Sequence, residues 1–333
     1  MQLFFIWIIS FFTFLTDKPD LKAFRITGYA QGTTYQVTYY AADSLICKNQ
    51  TDSILIKIDS SLSIYKPYSL ISRFNDSEKE LQIDMHFQTV VKKALQIYRE
   101  TGGAFDITVK PLVQAWGFGV KPVLTIPDSG TIQALLSCVG SDKIRLKKGL
   151  LKKDKPCMQI DVNGIAQGYS VDLLANFLEN KGIETYLIEL GGEIRVKGRK
   201  PQGTYMTIGI ESPPEESDQL PVQKTIQLPE GAVTTSGNYR KYHQSGNKKI
   251  SHLIDPKTGY PIQNELISVT VLAKDAMTAD GYDNALMGMG LNKAMSFIKR
   301  HKNIEAHFIY RKENGHVADT ASAGFYKFMK EQY

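Results

Sequence analysis

The chain has 333 residues, enough for one large domain or two ordinary ones, and its 42% apolar content allows a sizeable core. A formal charge of +6 is modest for this length, and no dense Lys/Arg stripe interleaved with aromatic residues occurs, so we do not expect a nucleic-acid partner. A mildly basic surface suits an anionic small molecule or a membrane face equally well.

Cysteine is scarce, and its spacing matches no metal motif. The three residues are Cys47, Cys138 and Cys157, so at most one disulfide can form. We expect three structural or incidental thiols and no disulfide framework.

The N-terminal segment has the composition of an export signal. Residues 3–15 are almost wholly apolar, and Asp17 is the first charged residue. This run is short for a membrane span but matches the apolar core of a signal peptide. No Lys or Arg precedes it and no small-x-small cleavage site follows it, so an uncleaved anchor and an incorrectly assigned start are alternatives. We predict an export signal or membrane anchor in residues 1–20 and one domain over residues 21–333.

Hydrophobic periodicity predicts the elements in the first half of the chain. The patterns indicate two strands around a turn in residues 24–40, helices over 51–63, 84–100 and 129–138, and a hairpin over 143–160. We expect a loop over residues 65–75, which contain Pro67. Residues 104–119 fit neither the helix nor the strand period. Such segments either line a site or cross a domain surface.

The chain is organised around residues 159–198. Here an apolar run passes through Gly164 and Gly168 into a helical pattern that Gly182 ends. Unpaired N–H groups and the helix dipole at such a start favour a phosphate. A strand over 185–190 then runs into a glycine pair, where backbone can approach a ligand closely. The alternative interpretation is a tight turn that serves only helix–strand packing.

Strands and helices alternate irregularly in the remainder. The patterns predict strands over 205–211, 267–273 and 304–311, helices over 277–287 and 292–300, a surface excursion over 212–223 and a turn-rich loop over 251–261. With several hairpins and no internal repeat, this order indicates an α+β fold with a mixed sheet.

A few side chains suggest chemistry. Asp280 and Asn284 lie four apart on a helical pattern, with Asp283 beside them, and their oxygen atoms suit Mg²⁺. An ordinary helix start with acidic and capping groups is the alternative. His252, in the turn-rich loop, could act as a general base or be structural. Tyr65 and Phe105 could stack on an aromatic ligand or belong to the core.

Taken in order, these stretches resemble one known family. The matching motifs are QGTTY (31–35), SIY (63–65) with ISRFN (71–75), GGAFDITV (102–109) with WGFG (116–119), DVNGIAQGY (161–169), ELGGE (189–193), TSGNYR (235–240), SHLIDPKTG (251–259), and TAD (278–280) with AL (285–286). Eight ordered matches, from about residue 28 to residue 290, resemble the ApbE family of flavin transferases.

The resemblance implies a fold and an activity. The fold would be one compact, two-lobed α+β unit of mixed or antiparallel sheets flanked by helices. The activity would be Mg²⁺-dependent transfer of FMN from FAD to a Thr or Ser hydroxyl of an acceptor protein, with release of AMP. Acceptors in this family are subunits of membrane redox pumps of the Nqr and Rnf type, with flavin-bearing segments outside the cytoplasm. The protein would therefore be exported, on the periplasmic side, and attached to the inner membrane.

The resemblance also implies roles for individual residues. The metal ligands would be the Asp280 carboxylate and the Gly164 carbonyl, with Asn284 in place of the usual Thr or Ser and Asp283 as an additional carboxylate. His252 would take the proton of the acceptor hydroxyl. Tyr65 would stack on the isoalloxazine. The residues expected to line the FAD site are Gln31, Ala104, Phe105, Asp106, Asp161, Ile254 and Gln167, the last replacing a common Lys or Glu.

Two other functions are compatible with the same residues. With water as the acceptor, the site would be an FAD pyrophosphatase that releases FMN and AMP. A flavin-binding protein without catalysis would retain FAD without needing His252 or Asp280.

Overall fold

The computed structural model describes residues 20–330, apart from residue 124 and residues 212–221, 240–241 and 246–247. The predicted export segment, except Asp20, and most of the predicted excursion over 212–223 therefore lie outside the described residues. Within the described ranges, no helix combines the length and the apolar composition needed to cross a membrane.

Strands and helices alternate through the described part of the chain. The helices are α1 (Lys48–Leu62), α2 (Leu70–Asp76), α3 (Met85–Glu100), α4 (Lys110–Ala115), α5 (Ser129–Leu136), α6 (Ala166–Asn180), α7 (Ala276–Met289) and α8 (Leu291–Arg300). The strands are β1 (Lys22–Ala30), β2 (Thr33–Ala41), β3 (Glu80–Gln82), β4 (Ile144–Lys147), β5 (Leu150–Lys153), β6 (Tyr186–Leu190), β7 (Glu193–Lys197), β8 (Met206–Glu211), β9 (Val222–Leu228), β10 (Glu230–Gly237), β11 (Tyr242–Ser245), β12 (Lys248–Ser251), β13 (Leu266–Ala273), β14 (Ile304–Arg311), β15 (Val317–Ala321) and β16 (Met329–Lys330).

An eight-stranded sheet, in the order β1-β2-β6-β7-β10-β13-β14-β15, forms the centre of the fold. Two three-stranded sheets (β16-β9-β8 and β3-β5-β4) and the β11-β12 hairpin accompany it. All pairings between these described strands are antiparallel. The α+β class is therefore confirmed, and the expected mixed or antiparallel sheets are antiparallel.

Tight turns explain this antiparallel arrangement at two places near the candidate site. Gln31 and Gly32 join β1 to β2 with φ values of 52° and 79°. Gly191 and Gly192 join β6 to β7 with φ values of 65° and 108°. Two-residue turns with two positive φ values match the twist of a hairpin, and glycine adopts them readily.

The central sheet is buried on both faces at β13. Val269 and Val271 of β13 pack into the main core, together with apolar residues of α1, α3, α6 and α7. Leu272 points to the other face and packs with Ile208 and Ile226 of the small β8–β9 sheet. This alternation is the period of two that the strand predictions rest on.

Two predictions of irregular structure are wrong in part. The expected loop over 65–75 contains α2, whose start is capped by Ser69, and Pro67 lies before that cap rather than within the helix. The irregular segment 104–119 contains α4, with Pro111 in its first turn, where proline removes no helical hydrogen bond. Both helices are too short to show a clear hydrophobic period.

The prediction of three thiols is also wrong. Cys138 and Cys157 form a disulfide, with Cα atoms 5.6 Å apart, and Cys47 is free and exposed. Tertiary folding brings these two residues together across the β4–β5 hairpin, and their separation in sequence gives no sign of this.

Candidate active site

The first turns of α6 and α7 are in direct contact, and this contact positions the predicted metal residues. The backbone N–H of Gly168 donates to Asp280 Oδ2 at 2.9 Å. A Cβ at Gly168 would lie 2.3 Å from the carbonyl oxygen of Ala276, so only glycine allows the two helices to approach this closely. The sequence suggests a phosphate near this N–H, but in the structure its partner is a carboxylate.

Oxygen atoms from α7 and from the loop before α6 converge on the side-chain amide of Asn284. Its Nδ2 lies 3.4 Å from the Gly164 carbonyl oxygen, 2.9 Å from Asp283 Oδ1 and 3.5 Å from Asp280 Oδ1. Asn284 Oδ1 accepts a hydrogen bond from Ser236 Oγ at 3.3 Å. The Asp280 carbonyl oxygen is also close, at 3.0 Å, so the positive end of the amide dipole lies where four oxygen atoms meet. The four residues predicted as metal ligands lie together.

The surroundings of Asp280 are strongly negative. Asp280 is 3% exposed, and burial, followed by the charges of Glu193 and Asp283, raises the pKa of its carboxyl well above the usual range. The described residues contain no group of three His, Cys, Asp or Glu side chains with metal-binding geometry. A cation at this point would therefore be held by a mixed set of carboxylate, carbonyl and amide oxygens.

Phe105 packs against the backbone of Gly164. A Cβ at Gly164 would lie 3.5 Å from Phe105 Cε2 and 3.1 Å from Asn284 Nδ2, so a larger side chain would crowd the site. The Ala104 carbonyl oxygen lies 3.5 Å from the position of a Cβ on Gly288 of α7. Residues 104 and 105 therefore lie against α7 and the loop that leads into α6.

The Asp106 carboxylate is engaged inside the protein. It accepts four hydrogen bonds, from the N–H and hydroxyl groups of Thr108 and Ser141, at 2.6–3.0 Å. Burial raises the pKa of Asp106, and these hydrogen bonds oppose the rise. The carboxylate holds the loop that follows Phe105, and its predicted contact with FAD stays a prediction.

Tyr65 and Asp161 lie together at an accessible edge. The Tyr65 side chain is 55% exposed, but partial desolvation of its hydroxyl, followed by the charge of Asp161, raises the pKa of Tyr65. Asp161 Oδ1 accepts the N–H of Asn163 at 2.8 Å. Lys110 also lies near this carboxylate, and its ammonium donates to Gln159 Oε1 at 2.8 Å. Sequence reasoning misses Lys110, because a lone lysine at the start of a short helix forms no pattern.

Gln167 lies in the first turn of α6, and Gln31 contacts the same helix from another element. Gln31, at the tip of the β1–β2 hairpin, donates from Nε2 to Ser170 Oγ at 2.8 Å. Gln167 Nε2 lies 3.0 Å from the position of a Cβ on Gly191, in the β6–β7 turn. The two glutamines therefore connect α6 to the two hairpin turns.

His252 and Ile254 lie in the loop after β12, which packs against α4 and the residues that follow it. The half-buried His252 ring meets Phe118 edge to face, with centroids 6.2 Å apart. Trp116 Nε1 donates to the Gly259 carbonyl oxygen at 2.8 Å. Ile254 is buried in a small apolar cluster with residues of α4 and α5. The predicted base is thus on a different loop from the predicted metal ligands.

Sequence reasoning also misses four polar residues beside the predicted ligands: Asp172, Glu193, Arg195 and Ser236. Asp172 bonds the first turn of α7, Arg195 bonds Asp172, Ser236 bonds Asn284, and Glu193 is buried near Asp280. One signal was available. An Asp four residues after Gly168, on the buried face of a predicted helix, requires a polar partner.

Fold and site together define a class: an α+β protein in which buried carboxylate, carbonyl and amide groups meet between α7 and the loop before α6, with aromatic and amide side chains nearby. The model of the ApbE family matches residues 31–308. This match covers most of the chain. The chain therefore belongs to the ApbE family, and it is an enzyme of the transferase class.

Individual relatives agree with this assignment. The chain is 35% identical over 337 residues to the FAD:protein FMN transferase of Vibrio cholerae, an alignment that covers 98% of this chain and 99% of that protein. It is 36% identical to the protein of the same name from Haemophilus influenzae, covering 92% of each. Among solved structures, flavin transferase ApbE from Vibrio cholerae superposes with a TM-score of 0.85 and 36% identity, covering 93% of this chain and all of that one. The flavinyl transferase ApbE from Pseudomonas stutzeri gives 0.84 and 32% identity, covering 92% and 97%.

Proposed function

We propose that this protein is a Mg²⁺-dependent FAD:protein FMN transferase. The hydroxyl oxygen of an acceptor Thr or Ser bonds to the FMN phosphorus of FAD, the bond from that phosphorus to the bridging oxygen breaks, and AMP leaves. The hydroxyl proton passes to a base on the enzyme. Because one phosphate bond replaces another, the protein acts mainly by positioning groups and neutralising charge.

One observation carries this proposal: the convergence of the Gly164 carbonyl with the carboxylates of Asp280 and Asp283. It occurs in a chain that is 35% identical, over 98% of its length, to a relative named FAD:protein FMN transferase. A dinucleotide with a diphosphate bridge is a substrate for which a site of this kind is suited.

The donor atoms suit Mg²⁺. Hard divalent cations prefer oxygen ligands, and Gly164, Asp280, Asp283 and Asn284 offer a carbonyl, two carboxylates and an amide. The amide oxygen of Asn284 would reach the same point after a 180° rotation of the group. The buried negative charge around Asp280, which raises its pKa, is the charge that a cation would neutralise. When bound, the ion would polarise the diphosphate and stabilise the departing AMP.

The remaining residues would bind FAD. Tyr65 presents an exposed ring for stacking on the isoalloxazine, and Phe105 lies beside Gly164. The other FAD residues in this proposal are Gln31, Ala104, Asp106, Asp161, Gln167 and Ile254.

His252 would be the general base. A half-buried imidazole in a loop can reach an incoming hydroxyl, and histidine exchanges protons near neutral pH. The edge-to-face contact with Phe118 orients its ring.

The acceptor would be a subunit of a membrane redox pump of the Nqr or Rnf type, with the flavinylated segment on the periplasmic side. The enzyme would be exported and attached to the inner membrane through residues 1–20. The Cys138–Cys157 disulfide supports an oxidising compartment, because disulfides persist there and are reduced in the cytosol.

The test is to incubate the protein with FAD, Mg²⁺ and a threonine-containing acceptor domain, and to measure the mass of the acceptor. We expect one added FMN, located on threonine by fragmentation and absent from a Thr→Val acceptor. Free FMN and AMP without acceptor modification would instead identify a pyrophosphatase. FAD that is retained unchanged, with or without Mg²⁺, would identify a binding protein.

A further inference from the structure

Asp172 joins the start of α7 to α6, and none of the chemistry proposed above uses it. It lies four residues after Gly168, so both residues face α7. Its carboxylate accepts the backbone N–H groups of Ala276 and Met277, both at 2.9 Å. These two residues are the first two of α7.

The contact between the two helices is reciprocal. Asp172 of α6 bonds the first turn of α7, while Asp280 of α7 bonds the Gly168 N–H in the first turn of α6. Carboxylates are favoured at helix N-termini by the free N–H groups and by the helix dipole. Asp275 caps the third N–H of α7, that of Thr278, at 2.8 Å. The first three backbone N–H groups of α7 therefore all donate to carboxylates of the protein.

Arg195 of β7 holds the Asp172 carboxylate in place. Its Nη1 lies 2.7 Å from Asp172 Oδ1, and the two side chains are only 17% and 10% exposed. Burial raises the pKa of Asp172, and the α7 N–H groups and Arg195 oppose the rise. The Asp172 carboxylate thus binds both α7 and Arg195 of β7, the strand that also carries Glu193.

We propose that Asp172 is a positioning residue for the cation site, with Arg195 as its clamp. By holding the first turn of α7 against α6, Asp172 sets the separation between the Gly164 carbonyl and the Asp280 carboxylate. The inference rests on the proposed Mg²⁺ dependence. Removal of a group that orients a metal ligand typically weakens metal binding about 10- to 100-fold.

The test is Asp172→Asn in the full chain. We expect the Mg²⁺ dissociation constant, measured by calorimetry well below the unfolding temperature, to rise about 10- to 100-fold. FAD affinity in EDTA should change little. Hydrogen exchange at the amides of residues 276 and 277 should accelerate, because one of their acceptors is lost.

Tyr186→Phe is the matched control. Tyr186 Oη donates to Glu179 Oε1 at 2.6 Å, and that oxygen lies 4.0 Å from Arg195 Nη2. The variant therefore perturbs the same buried network without touching α7. We expect reduced thermal stability with unchanged Mg²⁺ affinity.

Loss of Mg²⁺ affinity in Asp172→Asn but not in Tyr186→Phe supports the proposal. Equal losses in both variants, or no loss in Asp172→Asn, overturn it. If Asp172→Asn does not fold, Asp172→Glu keeps the charge and the arginine partner but lengthens the side chain, and normal Mg²⁺ affinity in that variant overturns the proposal. A wild-type protein that binds no Mg²⁺ contradicts the proposed metal dependence instead. Hydrogen exchange then decides the positioning role, and unchanged exchange in Asp172→Asn overturns it.

Discussion

The two halves of the candidate site are held in different ways. The proposed cation half is buried between α7 and the loop before α6, and it comprises Gly164, Asp280, Asp283 and Asn284. The ligand half is accessible and lies on loops, and it comprises Tyr65, Asp161 and His252. Asp280 and Asp283 are 3% and 2% exposed, whereas Tyr65 is 55% exposed.

The proposed function explains this difference. Mg²⁺ requires near-ideal ligand distances of about 2.0–2.1 Å, which side chains on a buried helix can provide. A flavin and a protein acceptor must enter and leave, so their contacts belong on accessible loops carried by a rigid scaffold. Substitutions in the cation half should therefore change metal binding as well as turnover, whereas those in the ligand half should change turnover without changing metal binding.

The largest effect is expected in the ligand half. His252→Ala should reduce FMN transfer about 10²- to 10⁴-fold, because a general base is lost, while FAD affinity stays nearly intact. Single-turnover transfer and FAD fluorescence quenching measure the two quantities. His316→Ala, which removes an exposed histidine, is the control. A transfer rate within a few-fold of the wild type would remove His252 from the mechanism.

The cation half is tested by Asp280→Ala, which should abolish Mg²⁺ binding and reduce transfer about 10²-fold or more. Full transfer activity with Mg²⁺ limiting would show the metal assignment to be wrong.

Asp280→Asn sharpens this test through stability. Because the folded protein raises the pKa of Asp280, the stabilising contribution of this group is present below its unfolded pKa and is lost as pH rises through the folded pKa. At pH 7 without metal, the variant should therefore be at least as stable as the wild type. Thermal unfolding in EDTA and in Mg²⁺ checks this, since Mg²⁺ should stabilise the wild type only. A variant that is less stable in EDTA would contradict the expected charge repulsion.

The two halves also differ in how far the sequence predicts them. The period of the helix pattern places Asp280 and Asn284 on one face of α7, and the α3 and α6 patterns succeed for the same reason. The meeting of Gly164 with that face depends on packing between helices more than 100 residues apart in sequence, as the 120-residue separation from Asn284 shows. Family resemblance suggests this meeting, but periodicity cannot.

Other features could not be predicted for physical reasons. The helix α4 has only six residues, with Pro111 in its first turn, so its period is not visible. The family resemblance makes Asp106 a candidate for contact with FAD. In the structure its carboxylate accepts hydrogen bonds from Ser141, which lies 35 residues later in the chain. The Asp172–Arg195 pair joins a helix to a strand 23 residues later, so the position of Asp172 on a buried helix face calls for a polar partner without showing which residue it is.

The scaffold of the ligand half can be weakened by removing the disulfide. Cys138 precedes the Ser141 turn that holds Asp106, and Cys157 precedes Asp161. The double variant Cys138→Ser/Cys157→Ser should lower the free energy of unfolding by about 3 kcal/mol, because the crosslink restricts the unfolded chain. Urea denaturation with and without reductant measures this, and Cys47→Ser is the control. Unchanged stability would mean that the crosslink does not form in the protein.

The smallest effect is expected in β14, which carries none of the proposed site residues. Burial lowers the pKa of His307 in β14, although its Nε2 lies 2.9 Å from Asp319 Oδ2. The folded pKa of His307 is below its unfolded value of about 6.5. The contribution of neutral His307 to the free energy of unfolding is therefore present above pH 6.5 and is lost as pH falls through the folded pKa. We expect His307→Gln to flatten the acid side of the stability profile by about 1 kcal/mol or less. A profile identical to the wild type would contradict this.

The most direct test of the cation half is a crystal structure with FAD and Mn²⁺, in which the ion is located by its anomalous scattering. We predict a single strong peak that is bounded by the Gly164 carbonyl and the Asp280 carboxylate, with Asn284 or Asp283 completing the protein ligands. A peak elsewhere on the FAD diphosphate, with the Gly164 and Asp280 oxygens making no contact to it, would contradict the proposed site.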